Sequence, residues 1–426
     1  MSKRTSLVTV LLAALVVVTS AGSAVGVDGR LDRRFSGDGR VTTFSGGAVP
    51  FGLAIDDERR IVVAGYTTDA GGTDIAVARF RPGGDLDPDF GGGDGRVTID
   101  LGGFDYAFDV AIQTDGRIVV AGERVTDTRD DMVVVRLLAG GAIDDSFAGN
   151  GRLLVDFGRP FQAATTLAID GDQRIVVGGS TSGGQRSRWA LARVLADGTF
   201  DASFSGDGLV ATDMSSGAEQ IHDLQVDGSN RVVAVGEATV RGRVRFAIAR
   251  YTEAGSLDGS FSGNGREFTD VAPGRDVAFA VALVPDGGYL AAGLATDGGR
   301  GSWAAVRYRQ RGGLVPSFGR RGIRVIDLGP EHEFAHDALV RNNGKILLAG
   351  RGHRPGHGSE MLVIRLDAGG AFDRSFAGDG RSFIDFSGQD DTARALILDR
   401  FGRVVVTGEA RKDGVTRFGV ARLRSG

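Results

Sequence analysis

The chain has 426 residues, with 54 acidic and 50 basic side chains, a formal net charge of -4 and no cysteine. The acidic excess argues against broad nucleic-acid binding. The lack of cysteine excludes disulfides, thiolate metal sites and a cysteine nucleophile, so the fold must be held by its hydrophobic core alone.

The first 24 residues are typical of a secretory signal peptide. Lys3 and Arg4 precede an apolar run over residues 7–18, and small residues follow, with cleavage expected after Ala24. The run is too short to span a bilayer, and no later segment approaches that length. An N-terminal anchor helix is the alternative, but polar and glycine residues follow the run at once. We therefore expect a secreted or extracytoplasmic protein without a membrane span.

Seven copies of one unit of about 57 residues fill residues 31–426. A fixed period of this size predicts a repeat architecture, in which each unit buries its apolar surface against its neighbours. The marker is the pattern L-D-x-x-F-x-G-x-G, whose phenylalanines are Phe35, Phe90, Phe147, Phe204, Phe261, Phe318 and Phe376.

The second unit shows the elements most clearly. Apolar runs at 96–100, 107–113, 117–122 and 131–137 predict four strands. The Asp115-Gly116 pair predicts a tight hairpin turn with both residues at positive φ. Seven such units give 28 strands.

The strands are often apolar on both faces, which favours sheets packed face to face. The sequence therefore predicts an all-β, seven-bladed β-propeller of four-stranded antiparallel blades. A β-helix would need a shorter rung, and an open solenoid would need capping units. We expect the strand at 40–44 to complete the last blade, beside the strand at 417–423, because this pairing removes an exposed edge.

The run L-D-x-x-F-x-G-x-G-R-V, followed by D-G-R-I-V-V-A-G and A-V-A-R-L, resembles the bacterial delta-60 repeat family over essentially the whole mature chain. This resemblance implies a β-propeller, often in exported or surface proteins, and implies no shared reaction. The sixth unit departs from the pattern at Val315 and Arg321.

An arginine closes the last strand of every unit, and an aspartate follows eight residues after most of them. Such a pair can form charge-assisted hydrogen bonds that fix one loop. We expect Asp32 and Arg422 to meet where the ring closes; an anion-binding ring of arginines is the alternative. The arginines are Arg79, Arg136, Arg193, Arg250, Arg307, Arg365 and Arg422.

Glycine recurs at two places in the repeat. The loops around Asp38, Asn150, Asp207, Asn264 and Asp379 offer oxygen ligands for calcium, but aspartate or asparagine before glycine is also ordinary turn chemistry. A second set of glycines should end a strand or allow a close backbone approach. These are Gly65, Gly122, Gly179, Gly236, Gly293, Gly350 and Gly408.

Four of the five histidines fall in the sixth unit. Residues 332–336 read HEFAH, but the H-E-x-x-H zinc motif works only on a helix, and the repeat places this segment before a strand. The loop into the first strand and the loop between strands two and three should emerge on one face, here called the top face. We therefore predict a candidate site for zinc, copper or nickel there, with solvated loop histidines as the alternative. Its ligands would be His332, His336, His353 and His357, beside Glu331 or Glu333, with His222 of the fourth unit on the same face.

We expect an exported, non-enzymatic monomer that presents a binding surface to a protein or glycan at the cell envelope or outside it. The alternative is a metal-assisted hydrolase or glycan-active enzyme that uses the top face of the sixth unit. Acids on that face could flank a sugar bond, namely Asp105, Glu219, Asp276, Glu333 and Asp390.

Overall fold

The computed structural model describes residues 28–425 except 70, 185, 330 and 355, so the predicted signal segment lies outside the described residues. Every named element in the described part is a β-strand. No helix long and apolar enough to cross a membrane occurs there.

The strands pair into seven four-stranded antiparallel sheets, and single parallel bridges also link the first three sheets. Each sheet takes three strands from one unit and its fourth strand from the next unit. Sheet 1 contains β2 (Ala48–Ile55), β3 (Ile61–Asp69), β4 (Gly72–Phe80) and β5 (Arg96–Ile99); sheet 2 contains β6 (Phe104–Ile112), β7 (Ile118–Val125), β8 (Asp130–Leu137) and β9 (Arg152–Val155). Sheet 3 contains β10 (Phe161–Ile169), β11 (Ile175–Ser182), β12 (Ser187–Val194) and β13 (Leu209–Thr212); sheet 4 contains β14 (Glu219–Val226), β15 (Val232–Val240), β16 (Arg243–Tyr251) and β17 (Arg266–Thr269). Sheet 5 contains β18 (Asp276–Leu283), β19 (Tyr289–Asp297), β20 (Arg300–Tyr308) and β21 (Ile323–Ile326); sheet 6 contains β22 (Phe334–Val340), β23 (Ile346–His353), β24 (Ser359–Leu366) and β25 (Arg381–Ile384). Sheet 7 contains β26 (Thr392–Leu398), β27 (Val404–Lys412), β28 (Val415–Leu423) and β1 (Arg40–Thr43).

The N-terminal strand pairs with the C-terminal one, as the sequence predicts. β1 runs antiparallel to β28, with Arg40 opposite Ala421 and Thr43 opposite Phe418. The predicted Asp32–Arg422 pair also forms, since Arg422 Nε donates to Asp32 Oδ2 at 2.9 Å. The two ends of the chain therefore complete one sheet together.

Apolar side chains pack between consecutive sheets in seven clusters. One of them joins sheets 7 and 1, where Phe35 and Phe80 pack with Val405 and Phe418. The seven marker phenylalanines are all at most 1% exposed, so they belong to this core.

The arginine that closes each third strand is buried and structural. In the second unit Arg136 Nε donates to Asp144 Oδ2 at 2.7 Å, and the guanidinium lies 4.6 Å from the centroid of the Phe147 ring. Arg136 also donates to Ala196 O in the following unit. Five more units repeat the arginine–aspartate pair. Because these guanidinium groups are saturated by the protein, the alternative of an anion-binding arginine ring finds no support.

Among the seven arginines, Arg307 alone has no aspartate at the equivalent position of the loop. Val315 stands where the other units have the aspartate, so Arg307 pairs instead with Asp286 on the preceding hairpin, with Nη2 2.6 Å from Oδ2. Without an aspartate at position 315, the guanidinium of Arg307 therefore pairs with a different carboxylate.

The hairpin turn predicted at Asp115-Gly116 forms between β6 and β7, but the positive φ predicted for both residues is wrong at Asp115. Gly116 N donates to Gln113 O at 2.9 Å, which closes the turn, and Gln113 N donates to Arg117 O, so residues 114–116 form the loop. Of the turn pair only Gly116 has positive φ, at 82°. Asp115 keeps negative φ and its Oδ1 accepts a hydrogen bond from Arg117 N at 3.0 Å, which stabilises this turn.

Candidate functional site

The repeated glycine of each second strand allows a close backbone approach, as predicted. A Cβ built on any of the seven would lie 1.8–2.1 Å from a carbonyl oxygen of the first strand. At Gly122 this oxygen belongs to Tyr106. No other residue fits these positions without moving the backbone.

A β-bulge follows directly after each of these contacts. In sheet 2, Ala107 lies opposite Gly122 and Asp109 lies opposite Ala121, so Phe108 has no partner on β7. The same register shift occurs in the other six first strands. A bulge turns its extra side chain away from the regular alternation.

The seven bulge residues all line one cavity of about 330 Å³, which we call the channel. They come from all seven sheets, so the channel lies where the first strands converge. The bulge residues are Phe51, Phe108, Thr165, His222, Phe279, His336 and Arg394.

Aromatic and imidazole rings form most of the channel wall. The ring centroids of Phe51 and Phe108 are 5.2 Å apart, and those of Phe279 and His336 are 5.6 Å apart. Arg394 connects the two groups, with its guanidinium 5.0 Å from the centroid of Phe51 and Nη1 2.9 Å from His336 Nε2. The ring centroids of His222 and Phe279 are 5.1 Å apart, so the wall is continuous from sheet 4 through sheet 7 to sheet 2.

The two channel histidines favour the neutral state. Burial, together with the charge of Arg275, lowers the pKa of His222 to about 4. Burial and the charge of Arg394 hold the pKa of His336 well below its usual value. His336 Nε2 accepts from Arg394, whereas the buried His222 Nε2 has no hydrogen-bond partner.

Three carboxylates follow the bulge residues of sheets 2, 4 and 6 and line a second cavity of about 400 Å³. Asp109, Asp223 and Asp337 each accept a backbone N–H of the next sheet, at 2.8, 2.7 and 2.7 Å. Burial raises the pKa of Asp109 to about 6 and that of Asp337 to about 7. These side chains join neighbouring sheets at the wall of this second cavity.

The acids proposed to flank a sugar bond are structural instead. Asp105, Glu219 and Asp276 are at most 1% exposed, and each accepts a backbone N–H from the loop before its strand. In the seventh unit Asp391 occupies this position, accepting from Phe386 N at 2.8 Å, so the predicted Asp390 was one residue off. Their oxygens hold loops in place rather than face a common substrate.

The structure does not gather the four histidines of the sixth unit. His336 faces the channel, His332 is exposed before β22, and His353 lies at the end of β23, where its backbone N–H donates to Glu333. His357 is exposed, with Nδ1 3.4 Å from Glu360 Oε1. Across the described residues, possible metal ligands of histidine, aspartate or glutamate lie within 4.8 Å of one another in groups of three at two places. One group is His357, Glu360 and Asp385, and the other is Asp74, Asp100 and Asp105.

The HEFAH segment is not helical, as predicted, since β22 begins at Phe334. The equivalence of His222 and His336 is also confirmed, because both are bulge residues. The bulge was not predicted from the sequence. The signal that could have indicated it is a residue of variable type that recurs every 57 or 58 positions within an otherwise regular strand.

Comparison with known proteins supports the fold. A family model described as "Domain of unknown function (DUF5122) beta-propeller" matches residues 59–90, 113–147, 171–204, 228–261 and 341–376. No curated protein gives a significant match.

Two solved structures with similar folds are both lyases. A catalytically inactive virginiamycin B lyase from Staphylococcus aureus with quinupristin has a TM-score of 0.51 and 9% identity, covering 90% of this chain and 98% of that one. An ulvan lyase of polysaccharide lyase family PL25, bound to -[GlcA(1-4)Rha3S]-, has a TM-score of 0.50 and 13% identity, covering 91% and 96%. At such low identity the likeness concerns the fold alone. The matched segments and the repeated four-stranded sheets identify the chain as a β-propeller repeat protein.

Proposed function

We propose that the seven sheets are the blades of a closed seven-bladed propeller of the delta-60 repeat type, spanning residues 31–426. Closure is supported by the pairing of β1 with β28 and by the core cluster that sheets 7 and 1 share. Arg422 also donates to Pro82 O at 2.6 Å, which repeats across the chain ends the link that Arg136 makes to the following unit.

We infer that this propeller is an exported, non-enzymatic binding protein whose ligand enters the channel from the top face. One observation carries the inference: all seven bulge residues line a single cavity, yet they differ in chemistry while the surrounding repeat is regular. The fold needs a bulge in each sheet, but it does not need phenylalanine, histidine, threonine and arginine at the equivalent positions.

The partner should be a protein segment that lies on the top face and inserts one side chain into the channel. Phe104 and Phe161 begin the first strands of sheets 2 and 3 and are 53% and 47% exposed. Exposed aromatic side chains in one region are typical of interaction sites. The channel volume lies at the lower end of the range of about 300–1,000 Å³ for ligand pockets, so it admits one small group. A glycan presenting one sugar ring is the other outcome of the test.

Site-directed photocrosslinking tests this proposal. A photoreactive phenylalanine analogue replaces Phe104 on the top face or, as a control, Leu154 on the outer strand β9, which is 46% exposed. We expect adducts with one envelope protein from position 104, lost on adding Phe161→Ser, and none from position 154. Adducts from position 154 alone would place the binding surface elsewhere.

An enzyme remains the second candidate, either a metal-assisted hydrolase or a glycan-active enzyme. It is favoured by the two imidazoles of the channel, since a neutral imidazole is the form that a general base requires. Arg394 beside His336 could hold a carboxylate of the substrate. Turnover of an acidic oligosaccharide by the parent protein, lost in His222→Ala, would support this candidate over the first.

A further inference from the structure

Glu123 is an acidic side chain of the channel wall. It lies on β7, lines the channel, and forms no hydrogen bond or ion pair within the part of the chain that the structure describes. Burial, together with the charge of Asp130, raises its pKa to about 7, and among the described residues no basic side chain acts against this rise. A buried carboxylate without a nearby cation is costly, because burial penalises its charged form.

Sheet 7 neutralises the equivalent glutamate with an arginine. Glu409, like Glu123, directly follows the repeated glycine of its second strand, and Arg394 Nε donates to its Oε1 at 2.9 Å. Arg394 is the bulge residue of that sheet, 15 positions before Glu409. The bulge residue of sheet 2, at the same spacing before Glu123, is Phe108. Sheet 2 therefore has an aromatic ring where sheet 7 has the guanidinium.

Sheet 4 neutralises its glutamate with an arginine from a different position. Arg275 Nη2 donates to Glu237 Oε2 at 2.6 Å, across 38 positions of sequence. The same spacing after Glu123 leads to Phe161, another aromatic residue. Glu237 and Glu409 are the two glutamates at positions equivalent to Glu123. Neither of the two positions that supply their arginines holds a basic residue in the case of Glu123.

His222 is a second polar group of the channel wall. Its buried Nε2 forms no hydrogen bond among the described residues, and its ring lines the same cavity as Glu123. Since burial keeps the imidazole neutral by lowering its pKa, one ring nitrogen can accept a hydrogen bond. Arg394 also lines the channel, but its charge is balanced by Glu409. The channel therefore offers a carboxylate, a neutral imidazole and aromatic faces, with no unpaired cation among its described residues.

We propose that the channel binds the basic side chain of a protein partner, a lysine or an arginine, whose cation pairs with Glu123 beside the aromatic rings of the wall. This inference rests on the binding function proposed above and specifies the side chain that the partner inserts. A cation and a carboxylate form charge-assisted hydrogen bonds, and the faces of aromatic rings attract the cation further. His222 Nε2 accepts another N–H of the same group. An apolar or acidic side chain would leave both Glu123 and His222 without partners.

Proton NMR of the full chain at pH 8, above the pKa of Glu123, tests the proposal. The probes are N-acetyl-lysine methylamide and N-acetyl-arginine methylamide, with the norleucine and glutamate analogues as neutral and acidic controls. The readout is the imidazole resonance of His222, which is one of five histidines and is assigned with His222→Asn. We expect a saturable shift with the lysine or arginine probe, and binding of norleucine that is weaker by about tenfold or more.

Two variants and a matched control locate the bound cation. Glu123→Gln should weaken binding of the basic probes by roughly tenfold or more, because it removes the charge of the carboxylate. Phe108→Arg copies the bulge residue of sheet 7 and should abolish binding, because the new guanidinium pairs with Glu123. Glu237→Gln removes the same charge at the equivalent position of sheet 4 and should leave the affinity within about twofold of that of the parent.

The inference is overturned if none of the probes shifts the resonance, if norleucine binds as tightly as lysine and arginine, or if Glu123→Gln binds the basic probes as the parent does. Binding of the glutamate probe alone would also overturn it, while a binding function of the channel would stand. Failure of the proposed function is recognised separately: position 104 would then give no crosslinked protein although the basic probes bind, which would uphold the cation site itself.

Discussion

Glu123 is an acidic residue of the channel wall whose pKa is raised by its surroundings. It lies on β7, lines the channel beside the bulge residues, and has its pKa raised to about 7 by burial and by the charge of Asp130. The folded protein therefore prefers the protonated side chain more strongly than the unfolded chain does.

Glu123→Gln should reveal this preference through its pH dependence. In the unfolded chain a glutamate titrates near its ordinary value of about 4.5, whereas Glu123 in the folded state titrates at about 7. Its contribution to the free energy of unfolding is fully present below about pH 4.5 and is lost as pH rises through about 7. The variant, which cannot ionise, should match the parent at pH 4 and have a higher Tm at pH 8.5.

Thermal unfolding at the two pH values measures this difference. Glu58→Gln, at a side chain that is 71% exposed, controls for the loss of one negative charge. A stabilisation of Glu123→Gln that is as large at pH 4 as at pH 8.5 would contradict the assigned titration.

At the scale of the strand, the second-strand glycine and the bulge in the first strand together determine which side chains face the channel. The first strand of the second unit reads AFDVAIQ, in which regular alternation would put Phe108 and Val110 on the same face. The bulge separates them: Phe108 lines the channel, whereas Val110 is 4% exposed in the core between sheets. One extra residue thus decides which side chain lines the channel.

Gly122→Ala tests this coupling. Its Cβ would meet Tyr106 O at 1.8 Å, so the two strands must separate. We expect a loss of about 1–3 kcal/mol in the free energy of unfolding, measured by urea denaturation. Gly228→Ala, with no atom within 4 Å and no positive φ, should change it by no more than about 0.5 kcal/mol. Equal effects would show that the close approach is unimportant.

Strand content could be predicted from the sequence because apolar runs and turn residues recur with the period. The four predicted strands of the second unit all exist, with ends that differ by up to three residues. The separation of the four histidines of the sixth unit could not be predicted, because the period gives the position of a residue along the chain but not its distance from the channel. His336 lies on the channel wall, whereas His357 lies on the exposed loop between β23 and β24.

At the scale of the whole molecule, the repeat determines how the ends meet. Every sheet borrows its fourth strand from the next unit, and for sheet 7 the next unit is the first. The same buried arginine–aspartate pair that lies within the chain at Arg136 and Asp144 is formed at the ends by Arg422 and Asp32. The cavity lined by residues of all seven sheets agrees with the closed ring proposed above.

A double-mutant cycle on Asp32 and Arg422 tests the closure most directly. The two residues are 390 positions apart in sequence, and their coupling in the free energy of unfolding exists only if the ends meet. With Asp32→Ala and Arg422→Met, we predict a coupling of roughly 1–3 kcal/mol, similar to that of Asp144→Ala with Arg136→Met. A coupling near zero at the ends, beside a large one at Arg136 and Asp144, would contradict the closed ring.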